Sequence, residues 1–184
     1  GEPVAVVVAA DPYVALKALA AIEVDYEKLP AVYDEVEAMT SEVIVHDELK
    51  PAATFADLKH LVGLKNTNLA LHYRLRRGNV ERAFAEADSV FEHTFRTQQV
   101  MHTALEPHVS VAEPVNEALV LHTCSQNPSF IRAEIARLLG WPENRVRVRT
   151  PFLGGGFGGK LYIKAGAIAT AVALLLRRPV KIAF

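Results

Sequence analysis

Five of the ten glycines of this chain fall within Gly154-Gly155-Gly156-Phe157-Gly158-Gly159-Lys160. Glycine permits positive φ and a close approach of ligand to backbone. A turn needs only one or two glycines, so this excess suits a loop whose bare N–H groups and following helix start face an anion such as a phosphate. Two phosphate loops share part of the spacing. Gly154-x4-Gly159-Lys160 matches a P-loop, whose next residue supplies a hydroxyl to Mg²⁺, but that residue is Leu161. Gly154, Gly156 and Gly159 match the G-x-G-x-x-G dinucleotide fingerprint, which wants an acid about 20 residues on for a ribose hydroxyl. The chain there reads Arg178-Pro179-Val180-Lys181-Ile182. Each reading fails at the residue that carries its chemistry.

Other reactive side chains are weaker signals. Cys124 needs an adjacent base to serve as a nucleophile; only His122 lies near in sequence, and a small buried residue is the simpler reading. His102, Glu106 and His108 are metal-ligand types, but their spacing fits no zinc motif. His46 and His60 have no ligand spacing and read as surface histidines. Arg74, Arg76 and Arg77 read as a solvated strand end. Taken alone, Gln126 is a strand-end amide bonded to backbone and Phe157 a hydrophobic plug.

These residues are positioned by recognisable elements. Val109 to Val115 and Ala118 to Thr123 read as a hairpin turned at Pro114 to Glu117. Asn127 is an N-cap, Pro128 the first helical residue, and Gly140 lies just past the helix end. Phe130, Ile131, Ile135, Leu138 and Leu139 form the apolar stripe of that helix. Arg145 to Thr150 reads as a strand, Leu161 to Leu176 as a helix and Val180 to Phe184 as a strand. Gln126 and the glycine loop thus both occupy strand-to-helix junctions, where open α/β sheets bind ligands. The last helix is apolar nearly all round and should be buried on most sides, with Gly166 allowing close approach. Lys160 and Lys164 near its start oppose the helix dipole unless an anion sits there.

Upstream, Val4 to Ala9 and Ile22 to Glu27 read as strands flanking a helix, Tyr13 to Ala21, opened by Asp11-Pro12. Residues 39–67 carry weak patterning and read as a linker with short elements. Asn68 to Leu75 and Ser89 to Gln98 alternate as strands do, around a short helix, Val80 to Glu86, capped at Gly78-Asn79.

The 184 residues suit one domain or pieces of two, and 51% apolar content suffices for a core. With 20 basic and 21 acidic residues there is no basic excess, which argues against nucleic acid. One cysteine excludes an internal disulfide and a cysteine cluster, and fits a reducing cytoplasm. Ala165 to Leu176 is too short to span a bilayer. The chain starts inside a motif, Gly1-Glu2-Pro3, and stops in a strand-like run, so it reads as an excised piece of a longer protein.

The segment PFLGGGFGGK (151–160) resembles the cofactor loop of the molybdenum hydroxylases, the xanthine dehydrogenase/aldehyde oxidase/carbon monoxide dehydrogenase family. QQVMHTALEPHVSVAEP (98–114) and LVLHTCSQNPSFIRAEIARLLGWPENRVRV (119–148) resemble the same family in the same order. So do GEPVAVVVAADPYVALKALAAIEVDYEKLPAVYDEVEA (1–38) and RLRRGNVERAFAEADSVFEHTFR (74–96). The resemblance implies a mixed α/β, α+β chain. Residues 1–50 would end a hammerhead domain, 51–67 would be a linker, and 68–184 would begin a molybdopterin-binding domain.

The resemblance also implies roles. The amide of Gln126 donates to an oxo ligand of molybdenum. Phe157 and Gly158 approach the metal centre and pterin, an approach that Gly156 and Gly158 permit. Residues 101–107 run beside the centre without ligating it, and no residue here binds the metal directly. Leu161 lines the substrate site at a position where purine-acting relatives carry glutamate. The implied reaction oxidises an aldehyde or N-heterocycle with water as oxygen source. Its general base lies outside this chain, so no catalytic residue is assigned and the chain alone is expected to be inactive. The implied cofactor is molybdopterin, as the cytosine dinucleotide, with molybdenum. Iron–sulfur clusters and FAD would sit on partner subunits or domains of a cytoplasmic dimer of heteromers. The competing readings are a nucleotide-phosphate-binding module without redox chemistry, using the glycine loop, and a degenerate structural copy of the hydroxylase fold.

Overall fold

The structure, a computed structural model, describes residues 2–46, 63–70, 72 and 75–184. It divides into two units, Gly1–Lys28 with His102–Phe184, and Leu29–Met101.

The first unit holds helix α1 (Pro12–Ala20) and, after His102, a mixed α/β layer pair. Asp11 caps α1 by accepting from the N–H groups of Tyr13 (2.6 Å) and Val14 (3.3 Å). The apolar runs on either side form no strand. Val4, Val6 and Val8 are exposed, as are Ile22, Val24 and Tyr26. A strand is completed by its ladder partner, and among the described residues these runs have none.

Strands β1 (Val109–Val115) and β2 (Ala118–Thr123) pair antiparallel around the two-residue turn Asn116-Glu117, with Asn116 at φ 53°. Asparagine tolerates that left-handed conformation. The second unit holds two short helices, α2 (Glu35–Ala38) and α3 (Val80–Glu86), capped by Asp34 and Asn79. In that unit Asn68 accepts from the Val45 N–H and donates to the carbonyls of Ala38 and Val43, tying residues far apart in sequence. Ser89 to Gln98 is irregular and exposed, with Phe91 and Phe95 open to solvent. Asn68–Ala70, His72 and Leu75 form no strand either. Leu71, Tyr73 and Arg74, His60, and most of the expected linker lie outside the described residues.

Helix α4 (Pro128–Leu139) runs from the Asn127 cap to Gly140, which adopts the left-handed C-cap at φ 65°. A 3₁₀ turn, Glu143–Arg145, precedes β3 (Val146–Arg149). Helix α5 (Ala165–Leu176) and β4 (Val180–Ala183) complete the unit. The sheet order is β3-β2-β1-β4, with β2 and β3 parallel and the other pairs antiparallel.

The register puts Ala112, Leu121 and Val180 opposite one another, and Leu119 opposite Val146. Cross-strand partners share a face, so all five point to one side of the sheet. There they join Ile131, Ile135 and Ala136 of α4 and Ala169 and Ala173 of α5 in a single core. Both helices therefore cover the same face. The other face carries Glu113, Arg147, Arg149 and Lys181, all exposed.

Two expectations for α5 change. It starts at Ala165, four residues after Leu161, and Lys164 gives it no side-chain cap. It is buried on one face only, through Ala165, Gly166, Ala169, Thr170 and Ala173, while Leu175 is exposed. One sheet face can bury one stripe of a helix, however apolar the rest. The close approach at Gly166 does hold, since a Cβ there would stand 3.2 Å from Leu121 Cδ2.

Candidate functional site

The topology brings three segments to one end of the sheet. Because β2 and β3 are parallel, their carboxyl ends lie side by side, with His122 paired to Arg149. The hydroxyl of Thr150 donates to the Thr123 carbonyl (2.9 Å) just beyond the ladder. Gln126 and the glycine loop leave from this end. Strand β1 runs the other way, so its start, and the preceding residues 102–108, arrive at the same place.

Gln126 is tied into the glycine loop. Its backbone N–H donates to the Lys160 carbonyl (3.0 Å). Its side-chain Oε1 accepts from the N–H groups of Gly158 (3.1 Å) and Lys160 (3.2 Å). Two N–H donors can converge only on the oxygen of a carboxamide, so the amide orientation is forced and, among the described residues, the NH₂ group meets no acceptor. Gly156 is where this amide rests: a Cβ there would stand 2.5 Å from Oε1. Gly155 and Gly158 take φ +91° and +88°, and Phe157 between them is held at φ 51° with its ring exposed. The N–H groups of Gly155, Gly156 and Phe157 meet no protein acceptor among the described residues. Three backbone donors without a protein acceptor, in the loop that Gln126 contacts, suit a ligand rich in hydrogen-bond acceptors. Leu161 follows directly and is partly exposed.

Glu106 also belongs to the loop. Its N–H donates to the Gly154 carbonyl (3.1 Å), and its carboxylate accepts from the Gly154 N–H (3.0 Å) and the Lys160 ammonium (2.6 Å). The Lys160 side chain is 2% exposed. The hydrogen bond from Lys160 holds the Glu106 carboxyl below its ordinary pKa, helped by the Gly154 N–H. His108 is pushed below the usual histidine range, first by burial and then by Lys164, Lys160 and His102. The ring of His102 packs on Gly159, where a Cβ would stand 3.0 Å from Cγ.

The anion that Lys160 needs is therefore the Glu106 carboxylate, far away in sequence, and not a group at the helix start. The usable sign in the sequence is a lysine inside a glycine loop with an acid in the segment entering β1. Among the described residues, His102, Glu106 and His108 form no three-ligand metal group. Cys124 is half-buried and its Sγ accepts from the Val109 N–H at 3.3 Å. Among the described residues, no helix is long and apolar enough to cross a membrane.

The family model for the molybdopterin cofactor-binding domain matches residues 63–184. The nicotinate dehydrogenase large molybdopterin subunit of Eubacterium barkeri is 31% identical over 182 residues, which cover 98% of this chain and 39% of that protein. The reconstituted CO dehydrogenase from Oligotropha carboxidovorans superposes with a TM-score of 0.79 at 30% identity, over 96% of this chain and 22% of that one. Quinoline 2-oxidoreductase from Pseudomonas putida 86 gives a TM-score of 0.78 at 28% identity, over 94% of this chain and 20% of that one. The chain thus spans well under half the length of these relatives. With its sheet, its glycine loop and a family-model match over most of its length, this chain belongs to the molybdenum hydroxylase large-subunit family and carries its molybdopterin cofactor-binding domain.

Proposed function

We propose that Gln126, Gly156, Phe157 and Gly158 hold the cofactor in a parent enzyme that oxidises an aldehyde or N-heterocycle, with water as the source of oxygen. The observation that carries this reading is the forced orientation of the Gln126 carboxamide, whose oxygen is occupied by the loop and whose NH₂ group is left to donate. When bound, the molybdenum–pterin group supplies a two-electron acceptor. The chain's own part is positional: Gln126 offers one donor, and the N–H groups of Gly155 to Phe157 offer others. The cofactor form is proposed to be the cytosine dinucleotide. Iron–sulfur and FAD partners, a dimer of heteromers, a cytoplasmic location and a base outside this chain complete the proposal. Residues 1–50 are assigned to the end of a hammerhead domain, 51–67 to a linker and 68–184 to the start of the cofactor domain.

Gln126→Glu in the parent enzyme tests the site. The carboxylate keeps an acceptor for both loop N–H groups but loses the donor. Losing one preorganised donor typically costs about 10² to 10³ in turnover. Turnover per bound molybdenum is the readout, and a value within about twofold of wild type is too small for such a donor and would return Gln126 to a loop tether only.

Leu161 bears on substrate choice. It offers no hydrogen bond to a heterocycle, and a site lacking such a partner loses preference for polar rings. The parent enzyme is expected to favour aldehydes or less polar rings over xanthine. Comparing kcat/KM on xanthine and on an aromatic aldehyde checks this, and a large preference for xanthine refutes it. A nucleotide-phosphate module is disfavoured because Lys160 is buried against Glu106 and the loop does not open directly onto α5.

A further inference from the structure

We propose that Glu106 is a positioning residue that clamps the glycine loop at both ends and so sets the backbone presented by Gly155 to Gly158. One carboxylate oxygen takes the N–H of Gly154 at the loop's start and the ammonium of Lys160 at its end, 3.0 and 2.6 Å away. The Glu106 N–H closes a second bond to the Gly154 carbonyl. Gly154 admits this contact because it lacks a Cβ, which would stand 2.5 Å from Glu106 Cβ.

The clamp has something to hold. Phe157 sits in the left-handed region at φ 51° between two positive-φ glycines. A bulky residue keeps such a conformation only where its surroundings over-determine it. Inside the loop, the bonds from Gly159 N–H to the Gly156 carbonyl (2.8 Å) and from Gly158 N–H to Gln126 fix the second half. The start of the loop, Gly154, is held through Glu106. Lys160 cannot substitute another partner, because it is buried and an unpaired charge there is strongly unfavourable. The role toward the cofactor rests on the site proposed above, whereas the clamp on the loop is a property of this chain's own residues.

The test uses the full-length large subunit with its partners. Wild type, Glu106→Gln, Lys160→Met and the double variant Glu106→Gln/Lys160→Met are compared by amide hydrogen exchange and by molybdenum content. In Glu106→Gln, where a neutral amide oxygen replaces the carboxylate as acceptor, peptides covering 152–161 are expected to exchange about tenfold faster, the effect of weakening the bonds from Gly154 and Lys160, while β1–β2 peptides stay unchanged. The double variant removes the buried unpaired charge, so its thermal stability should recover while loop exchange stays fast. Two results overturn the clamp: loop exchange within about twofold of wild type in Glu106→Gln, or a double variant whose loop exchange returns to the wild-type rate, since Glu106 would then serve only to neutralise Lys160. A wild-type protein without molybdenum whose loop still loosens in Glu106→Gln supports the clamp and retires the cofactor site instead.

Discussion

Val4 to Ala9 and Val109 to Val115 are both short and rich in valine, yet one is irregular and exposed and the other is a strand at the heart of a sheet. The difference lies in partners. Val109 to Val115 is followed by a two-residue turn and by Ala118 to Thr123, so its ladder forms locally, and β4 returns to its other edge. Among the described residues nothing pairs with Val4 to Ala9 or with Ser89 to Gln98. Strand periodicity is a statement about which faces could be buried. Burial itself requires a neighbour.

Mutation can sharpen that contrast. Leu121 is fully buried, opposite Ala112 and under Gly166. Leu121→Ala is expected to cost about 2–5 kcal/mol through lost burial and a cavity. Val6→Ala, in the exposed run, should stay within about 0.5 kcal/mol. Denaturant unfolding of this chain measures both, and similar losses at the two positions would show that Val6 is packed after all.

A smaller effect separates the two capped helices. Asn127→Ala removes the acceptor of the Phe130 N–H and should cost about 1 kcal/mol of stability, since α4 is built into the core. Asp11→Ala removes an equivalent cap from α1, which buries no residue. Its loss should appear as reduced helicity on circular dichroism with little change in the unfolding midpoint. A matching midpoint shift in both variants would tie α1 to the cooperative core.

The mildest contrast is a pH slope. Glu106 and His108 both have folded pKa values below their unfolded ones. For each, the contribution is fully present above the unfolded value, about 4.3 for a glutamate and about 6.5 for a histidine. It is lost as pH falls through the folded value. Stability should therefore decline as the medium is acidified from neutral, first through His108 and then through Glu106. Glu106→Gln should flatten the lower part of that curve, as read from unfolding midpoints at successive pH values. An unchanged curve would mean that the Glu106–Lys160 pair contributes no linked stability.

Much of the site was legible because its ingredients are local. The Asn127-Pro128 start and Gly140 stop of α4, the hairpin turn and the glycine loop are each written in a few adjacent residues whose backbone preferences act on their own. Those same local rules placed Gln126 at a strand-to-helix junction. They could not say that Gln126 turns its oxygen to Gly158 and Lys160, or that Glu106 rather than a ligand neutralises Lys160, because residues dozens of positions apart meet only when β2 and β3 pair in parallel and β1 enters beside them. The exposure of α5 on one side has the same origin: apolar content is set residue by residue, but the face that is buried is chosen by the sheet it lands on. Sequence determined which segments could turn, cap or bend to positive φ. Only the tertiary pairing decided which of them share an end of the sheet, because hydrogen bonds and buried charges need a partner in space and not in order along the chain.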